Sequence, residues 1–269
     1  MIVALGFAVV ASASPAIDDV VLKTRIWNDD PTSVLTMGET YTRTPPAGPE
    51  SGGVWFDEQG LDGGGVGGWA NRHNWRFSDD GGITAAVFNN SDTFEMAADV
   101  TITGPANAEA ALEVAPWWSL DVGGGLTVIT WNGEIAAFGG RMPYYNFTAS
   151  HGITYTKGDT VGLAMAYVPP GVVSVAGQIK YDVSLGGSDY TSGWLAFDEG
   201  NPAEDPPHGL WGILSPAEVG GYFLPQVNTA DPNNWSHVDF DNIHYAPVPE
   251  PATVGLLALM TLAMGWRRR

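Results

Sequence analysis

Between residues 160 and 184 the chain alternates with a period of two. Val161, Leu163, Met165 and Tyr167 are bulky, and Gly162, Ala164 and Ala166 between them are small. After Pro169-Pro170-Gly171, the apolar Val173, Val175, Ile179, Tyr181 and Val183 alternate with Ser174, Gln178, Lys180 and Asp182. Such a pattern puts one face of each segment in a core and the other in water, as antiparallel strands require. Turn chemistry agrees. Asn132-Gly133, flanked by the strand candidates 126–131 and 134–138, is a strong hairpin signal. Lys157-Gly158-Asp159 predicts a second hairpin turn between 153–156 and 160–168. Residues 20–26, 83–88, 100–103 and 236–245 are shorter strand candidates. Helical signals are scarce: an Ala/Glu-rich stretch at 106–114, and a capping-box pattern at Ser215-Pro216-Ala217-Glu218 stopped by Gly220-Gly221. The expectation is one all-β domain over residues 18–245, an antiparallel β-sandwich of jelly-roll type with under about a tenth of its residues helical.

Composition supports a packed core and removes several chemistries. Of the 269 residues, 44% are hydrophobic, with 11 Trp, 9 Tyr and 10 Phe, far from a disordered composition. No cysteine is present, which excludes disulfides, zinc–thiolate sites and cysteine nucleophiles. Eleven Lys+Arg stand against 30 Asp+Glu, a net charge of −19. Such a surface repels nucleic acid and anionic lipid and attracts cations, calcium foremost outside a cell.

Both ends read as addresses. Residues 1–13 run from an apolar stretch into Ala11-Ser12-Ala13, the layout of a cleavable secretory signal peptide. At the other end, Pro249-Glu250-Pro251 precedes an uninterrupted apolar run of 15 residues, 252–266, closed by Arg267, Arg268 and Arg269. As a helix that run spans about 22 Å, short of a hydrocarbon core of about 30 Å. Arginines at its far end mark the cytoplasmic side. The tripeptide, the short apolar helix and the basic terminus together resemble the PEP-CTERM sorting signal, over residues 248–269. That resemblance implies a bacterial protein exported by the general pathway, held briefly in the membrane by its tail, and processed near Pro249–Pro251 by an exosortase. It also implies a link to extracellular polysaccharide and biofilm matrix.

The last strand has a parity fault. Val238 and Phe240 share one face, while Ile243 and Tyr245 fall on the other unless an extra residue at Asp241-Asn242 forms a β-bulge. A final aromatic–Asp-Asn strand of this kind resembles those of exported carbohydrate-binding jelly rolls. The resemblance implies a structural calcium, with Asp239, Asp241 and Asn242 as candidate ligands; a solvated acidic edge is the alternative reading.

Local catalytic motifs are missing. Residues 63–68 satisfy G-x-G-x-x-G but open no helix, and there is no G-x-S-x-G, HExxH or P-loop. Tryptophans are the better hint: Trp55, Trp69, Trp75, Trp117 and Trp118 are candidates for stacking on sugar rings. The sequence therefore predicts an exported, non-catalytic surface or matrix protein that binds polysaccharide, with a glycan-active enzyme (hydrolase or lyase) on a similar sandwich as the alternative. A groove holding two carboxylates roughly 5–10 Å apart beside exposed tryptophans would favour the enzyme, and a flat sandwich face without such a pair the non-catalytic protein.

Overall fold

The computed structural model describes residues 14–248 except 28–29, 31, 46–47, 66–68, 141, 170–176, 198–215 and 228–230. The expected signal segment (residues 1–13) and the expected sorting tail from Pro249 onward lie outside the described residues. Two antiparallel sheets face each other. The first runs β1 (Asp19–Lys23), β7 (His73–Ser78), β16 (Glu218–Val227), β9 (Asn107–Ser119), β10 (Val122–Ile129), β11 (Ile135–Phe138) and β12 (Tyr145–Asn146), with β6 (Trp69–Ala70) also on β16. The second runs β15 (Ser188–Ala196), β14 (Gln178–Leu185), β13 (Thr160–Val168), β8 (Phe94–Thr103), β17 (Trp235–Ala246), β5 (Val54–Gln59) and β2 (Val34–Glu39). A small hairpin joins β3 (Thr42–Arg43) to β4 (Glu50–Ser51). The one helix among the described residues is α1 (Phe147–His151), capped by the Asn146 side chain.

The period-two segments build the core as their pattern requires. Val161, Leu163, Met165 and Tyr167 of β13 and Ile179, Tyr181 and Val183 of β14 are buried in one continuous cluster spanning both sheets. At its centre Trp75 of the first sheet meets Phe77 edge-on at 5.3 Å and Phe240 of the second at 5.7 Å. Gly221 makes room for that indole: a Cβ there would lie 2.6 Å from Trp75 Nε1. Asn132-Gly133 does turn β10 into β11, with the Gly133 amide donating to Ile129 O.

The β17 bulge is present. Its register with β8 shifts between Asp241 and His244, and Phe240, Ile243 and Tyr245 are all buried. The extra residue is Asn242, with φ 51, a left-handed conformation that asparagine tolerates and β-branched residues do not. Its amide also donates to Asp99 at 2.8 Å. Asn242→Val should therefore lower the free energy of unfolding by about 2 kcal/mol, whereas Asn242→Gly should cost less, both read by chemical denaturation.

Four sequence expectations are corrected. Residues 106–114 form no helix but most of β9, because Ala108, Ala110, Leu112 and Val114 alternate into the core. Glu218 opens β16 rather than lying in a capped helix. Residues 153–156 form no strand; β13 pairs instead with β8 and β14. Residues 83–88 contribute only an isolated bridge between Phe88 and Ala217. No helix of the described residues is long and apolar enough to cross a membrane, and the expected tail helix lies outside them.

Candidate active site

The outer face of the first sheet, turned away from the core, holds a buried polar cluster. Strand parity builds it. With Trp75 and Phe77 inside, Arg72, Asn74 and Arg76 point outward; with Leu112 and Val114 inside, Glu109 and Glu113 do; with Val219 and Phe223 inside, Glu218, Tyr222 and Gln226 do. Gly220 pairs with Arg76 on one side and Glu113 on the other. With no side chain between them, Arg76 Nη2 reaches across β16 to within 2.8 Å of Glu113 Oε2. Glu113 Oε1 pairs with Arg72 Nη2 and accepts the Gly123 amide at 2.5 Å. All three side chains are at most 4% exposed. Charges withdrawn from water this completely lose several kcal/mol of hydration each, and apolar residues would fill the space as stably. A charged triad kept here is a candidate functional site.

Beside it lies a cavity of about 170 Å³, walled by Trp27, Trp117, Phe138 and Leu224 and floored by Arg72, Glu109 and Tyr222. It is wide enough for several waters and smaller than most drug-sized pockets. The Arg72 guanidinium lies 3.9 Å from the centre of the Tyr222 ring and 5.4 Å from that of Trp27. Its buried Nε has no hydrogen-bond partner among the described residues. Tyr222 donates its hydroxyl to Glu109 Oε2 at 3.0 Å, and Gln226 donates to Oε1 at 3.3 Å. With both oxygens accepting, Glu109 has the partners of an ionised carboxylate. Burial raises its pKa, partly offset by the Tyr222 hydrogen bond and by Arg72, which makes it a stronger base than a solvated glutamate. Tyr222 is pushed well above the ordinary tyrosine value by burial and then by Glu109, so it stays a phenol and a proton donor. Elsewhere on the first sheet, Lys23 Nζ meets Glu218 at 2.5 Å and Asp121 at 3.4 Å.

The residues singled out by sequence scatter. Trp117 lines this groove. Trp75 is wholly buried between the sheets, where no sugar can reach it; the adjacent Phe77 and Phe240 claim its edges. Trp55 lies on the outer face of the second sheet, over Gly38 and beside His237. Trp69 and Trp118 fall in β6 and β9, and their side chains lie outside the described residues. Asp239, Asp241 and Asn242 sit on the second sheet, away from the groove. Asp239 pairs with His237 at 3.0 Å, and the Asn242 amide donates to Asp99 at 2.8 Å. No group of three or more His, Asp or Glu among the described residues is arranged to hold a metal ion. Arg72, Arg76, Glu109, Glu113 and Tyr222 carried no sequence signal beyond the alternation that sets their face.

No family model matches the sequence, and no curated protein does. Solved structures of similar architecture include the alginate lyase from Corynebacterium sp., at 13% identity over 86% of this chain and 94% of that one, TM-score 0.44. Another is the alginate lyase from Klebsiella pneumoniae, at 9% identity over 78% of this chain and 84% of that one, TM-score 0.46. The marine alginate lyase from Aplysia kurodai matches at 10% identity over 82% and 93%, TM-score 0.41. At these identities the likeness is one of sandwich fold and assigns no residue. The comparisons lend the expectation of a non-catalytic protein no support, and it is not carried further: the sandwiches named above are alginate lyases, which is said of them alone, and the groove of this chain gathers a carboxylate, a phenol and a guanidinium that no local motif announced.

Proposed function

We propose that the chain is a glycan-active lyase that cleaves a uronate-containing polysaccharide by β-elimination in the outer groove of the first sheet. The observation that carries this reading is the Tyr222–Glu109 pair, 3.0 Å apart at the cavity floor beside Arg72. Hydrolysis calls for two carboxylates free to act across a scissile bond. Here Glu113 is held by two guanidiniums and an amide and does not line the cavity, which leaves Glu109 as the carboxylate that does. One base, one phenol and one cation suit elimination instead.

The steps balance without water. Arg72 faces the uronate carboxylate and stabilises the charge that develops there when the adjacent C5–H is removed. Glu109 takes that proton, the C5 electron pair forms the C4–C5 double bond, and the C4–oxygen bond breaks. Tyr222 donates its hydroxyl proton to the departing oxygen, and the proton on Glu109 returns to Tyr222 along their hydrogen bond. Because Glu109 must be ionised, the rate should rise with pH through a carboxylate pKa lying above the ordinary glutamate range. No alkaline limb should come from Tyr222 until well past the usual phenol range. A pH–rate profile of kcat/KM checks both.

A net charge of −19 repels a polyanion at long range, while the groove cations act only at contact. Raising ionic strength should therefore speed the reaction several-fold before it weakens the contacts, the reverse of a basic polyuronate-binding enzyme. Stopped assays across a salt series measure this.

We carry the export signal at residues 1–13 and the sorting tail as part of the proposal. Pro249, Glu250, Pro251 and the three terminal arginines support delivery to the cell exterior and processing by an exosortase, where polysaccharide substrates occur. The functional test is product analysis. The purified protein is incubated with alginate, pectate, and neutral glucans and mannans, and the ends are read by mass spectrometry. Unsaturated ends, lighter than hydrolytic ones by the elements of water, are expected from a polyuronate alone; hydrolytic ends, or no cleavage of any uronate polymer, would overturn the reading.

A further inference from the structure

A second polar cluster lies in the sandwich interior, behind the groove. Glu58 is on β5 of the second sheet, yet its carboxylate is wholly buried and reaches across the core to the first. Its Oε2 lies 2.9 Å from His73 Nε2. Its Oε1 accepts the Asn71 amide at 2.5 Å and the Ser33 hydroxyl at 2.7 Å. The tautomer of His73 is set from the other side. Arg25, whose φ of 53 turns its backbone N–H toward the ring, donates to Nδ1 at 3.1 Å. With Nδ1 accepting, Nε2 must carry the proton that Glu58 accepts. The imidazole is clamped between Phe56 at 5.6 Å and Phe223 at 6.3 Å.

The two residues held by Glu58, Asn71 and His73, flank Arg72. Parity sends 71 and 73 inward and 72 outward, so one buried carboxylate fixes the backbone on both sides of the groove cation. The groove wall is tied to the same point. The Arg72 amide donates to Trp27 O at 3.2 Å and the Ile26 amide to Arg72 O at 3.0 Å, while Arg25 and Ser33, either side of Trp27, contact His73 and Glu58. Burying a carboxylate in an apolar core is costly, and nothing in the packing of the sheets requires it.

We infer that Glu58 is a positioning residue: from the opposite sheet, it holds Arg72 and Trp27 in the geometry the groove needs. The catalytic consequence rests on the lyase reading above; the structural one does not. Glu58→Gln tests it with little change of shape. The new amide can still accept from Asn71 and Ser33, but its NH₂ faces the Nε2–H of His73, whose Nδ1 is committed to Arg25, so two donors oppose each other.

The readout is modification of arginines by phenylglyoxal, quantified at each site by peptide mass spectrometry, with cooperative melting as the check on folding. Arg76 is the internal control, because it shares Glu113 but has no neighbour bound to Glu58. In Glu58→Gln, Arg72 should react at least about tenfold faster while Arg76 stays protected. Equal gains at both sites would mean general loosening, and no gain at Arg72 would mean no local hold; either overturns the proposal. If Glu58→Gln fails to fold, His73→Phe, which keeps a ring between Phe56 and Phe223 but removes the donor to Glu58, is measured the same way with the same outcomes. In active protein, kcat should fall about tenfold or more with KM less affected. Selective Arg72 exposure in a protein that cuts no uronate polymer would leave the positioning role standing and remove the lyase reading.

Discussion

Glu113→Ala is expected to lower the free energy of unfolding by about 3–5 kcal/mol, a large part of the roughly 5–15 kcal/mol of an ordinary domain. The residue is a surface-sheet side chain by parity, and an average surface substitution shifts stability by about 0.5 kcal/mol or less. Its environment decides otherwise. Removing the carboxylate leaves Arg72 and Arg76, 4% and 0% exposed, facing each other without their common counter-ion, and leaves the Gly123 amide without its acceptor. Replacing all three charges together, as Arg72→Met with Glu113→Leu and Arg76→Met, should restore most of the lost stability, because a filled apolar patch has no hydration to recover. That triple variant should nonetheless be inactive, since Arg72 is gone. Urea denaturation of the single and triple variants separates the two contributions. A loss under about 1 kcal/mol in Glu113→Ala would mean that the triad is solvated in solution.

The groove is hard to read from sequence because its parts come from three distant segments, 72–76, 109–113 and 218–226, and two of those had misleading local character. Alanine and glutamate at 106–114 favour a helix intrinsically, whereas tertiary pairing with β10 and β16 forces a strand. Alanines at 108 and 110 supply little hydrophobic contrast, so the period of two is faint there. In β16, Gly220 and Gly221 looked like a stop; they are the places where Arg76 crosses and where Trp75 packs. By contrast β13, β14 and the β17 bulge were legible. Each sets large apolar residues against polar or small ones, and a parity fault in such a strand has one inexpensive remedy. Trp75 illustrates the opposite limit. A tryptophan in a Gly/Asn-rich stretch suggests a sugar platform, yet its strand places it at the centre of the core.

Tyr222→Phe is expected to lower kcat by about 10²–10³ with little change in stability or KM. The ring stays, and with it the Arg72 guanidinium 3.9 Å from its centre. What is lost is the hydroxyl, which donates to Glu109 at 3.0 Å and lies 3.3 Å from Thr127 Oγ1. Without it the departing oxygen has no proton donor, and the proton taken by Glu109 has no short return route. Glu109→Gln should cost as much or more in rate, because an amide cannot accept the C5 proton, and it should abolish the acid limb of the pH–rate profile. Thr127→Val serves as the control, removing the other partner of the Tyr222 hydroxyl while leaving its proton path to Glu109; it should cost less than about tenfold. Equal effects from Thr127→Val and Tyr222→Phe would assign the tyrosine to packing.

The central claim is that a uronate chain is cut on the outer face of the first sheet, between Arg72 and the Tyr222–Glu109 pair. The most direct measurement is a crystal structure of Tyr222→Phe soaked with a tetrasaccharide of the polyuronate that the wild-type protein cleaves. The account predicts one uronate carboxylate within hydrogen-bond distance of Arg72, with the scissile bond over residue 222 and its C5 within reach of Glu109. A chain seated instead on the second sheet, along Trp55 and Asp239, with the groove empty, would contradict it.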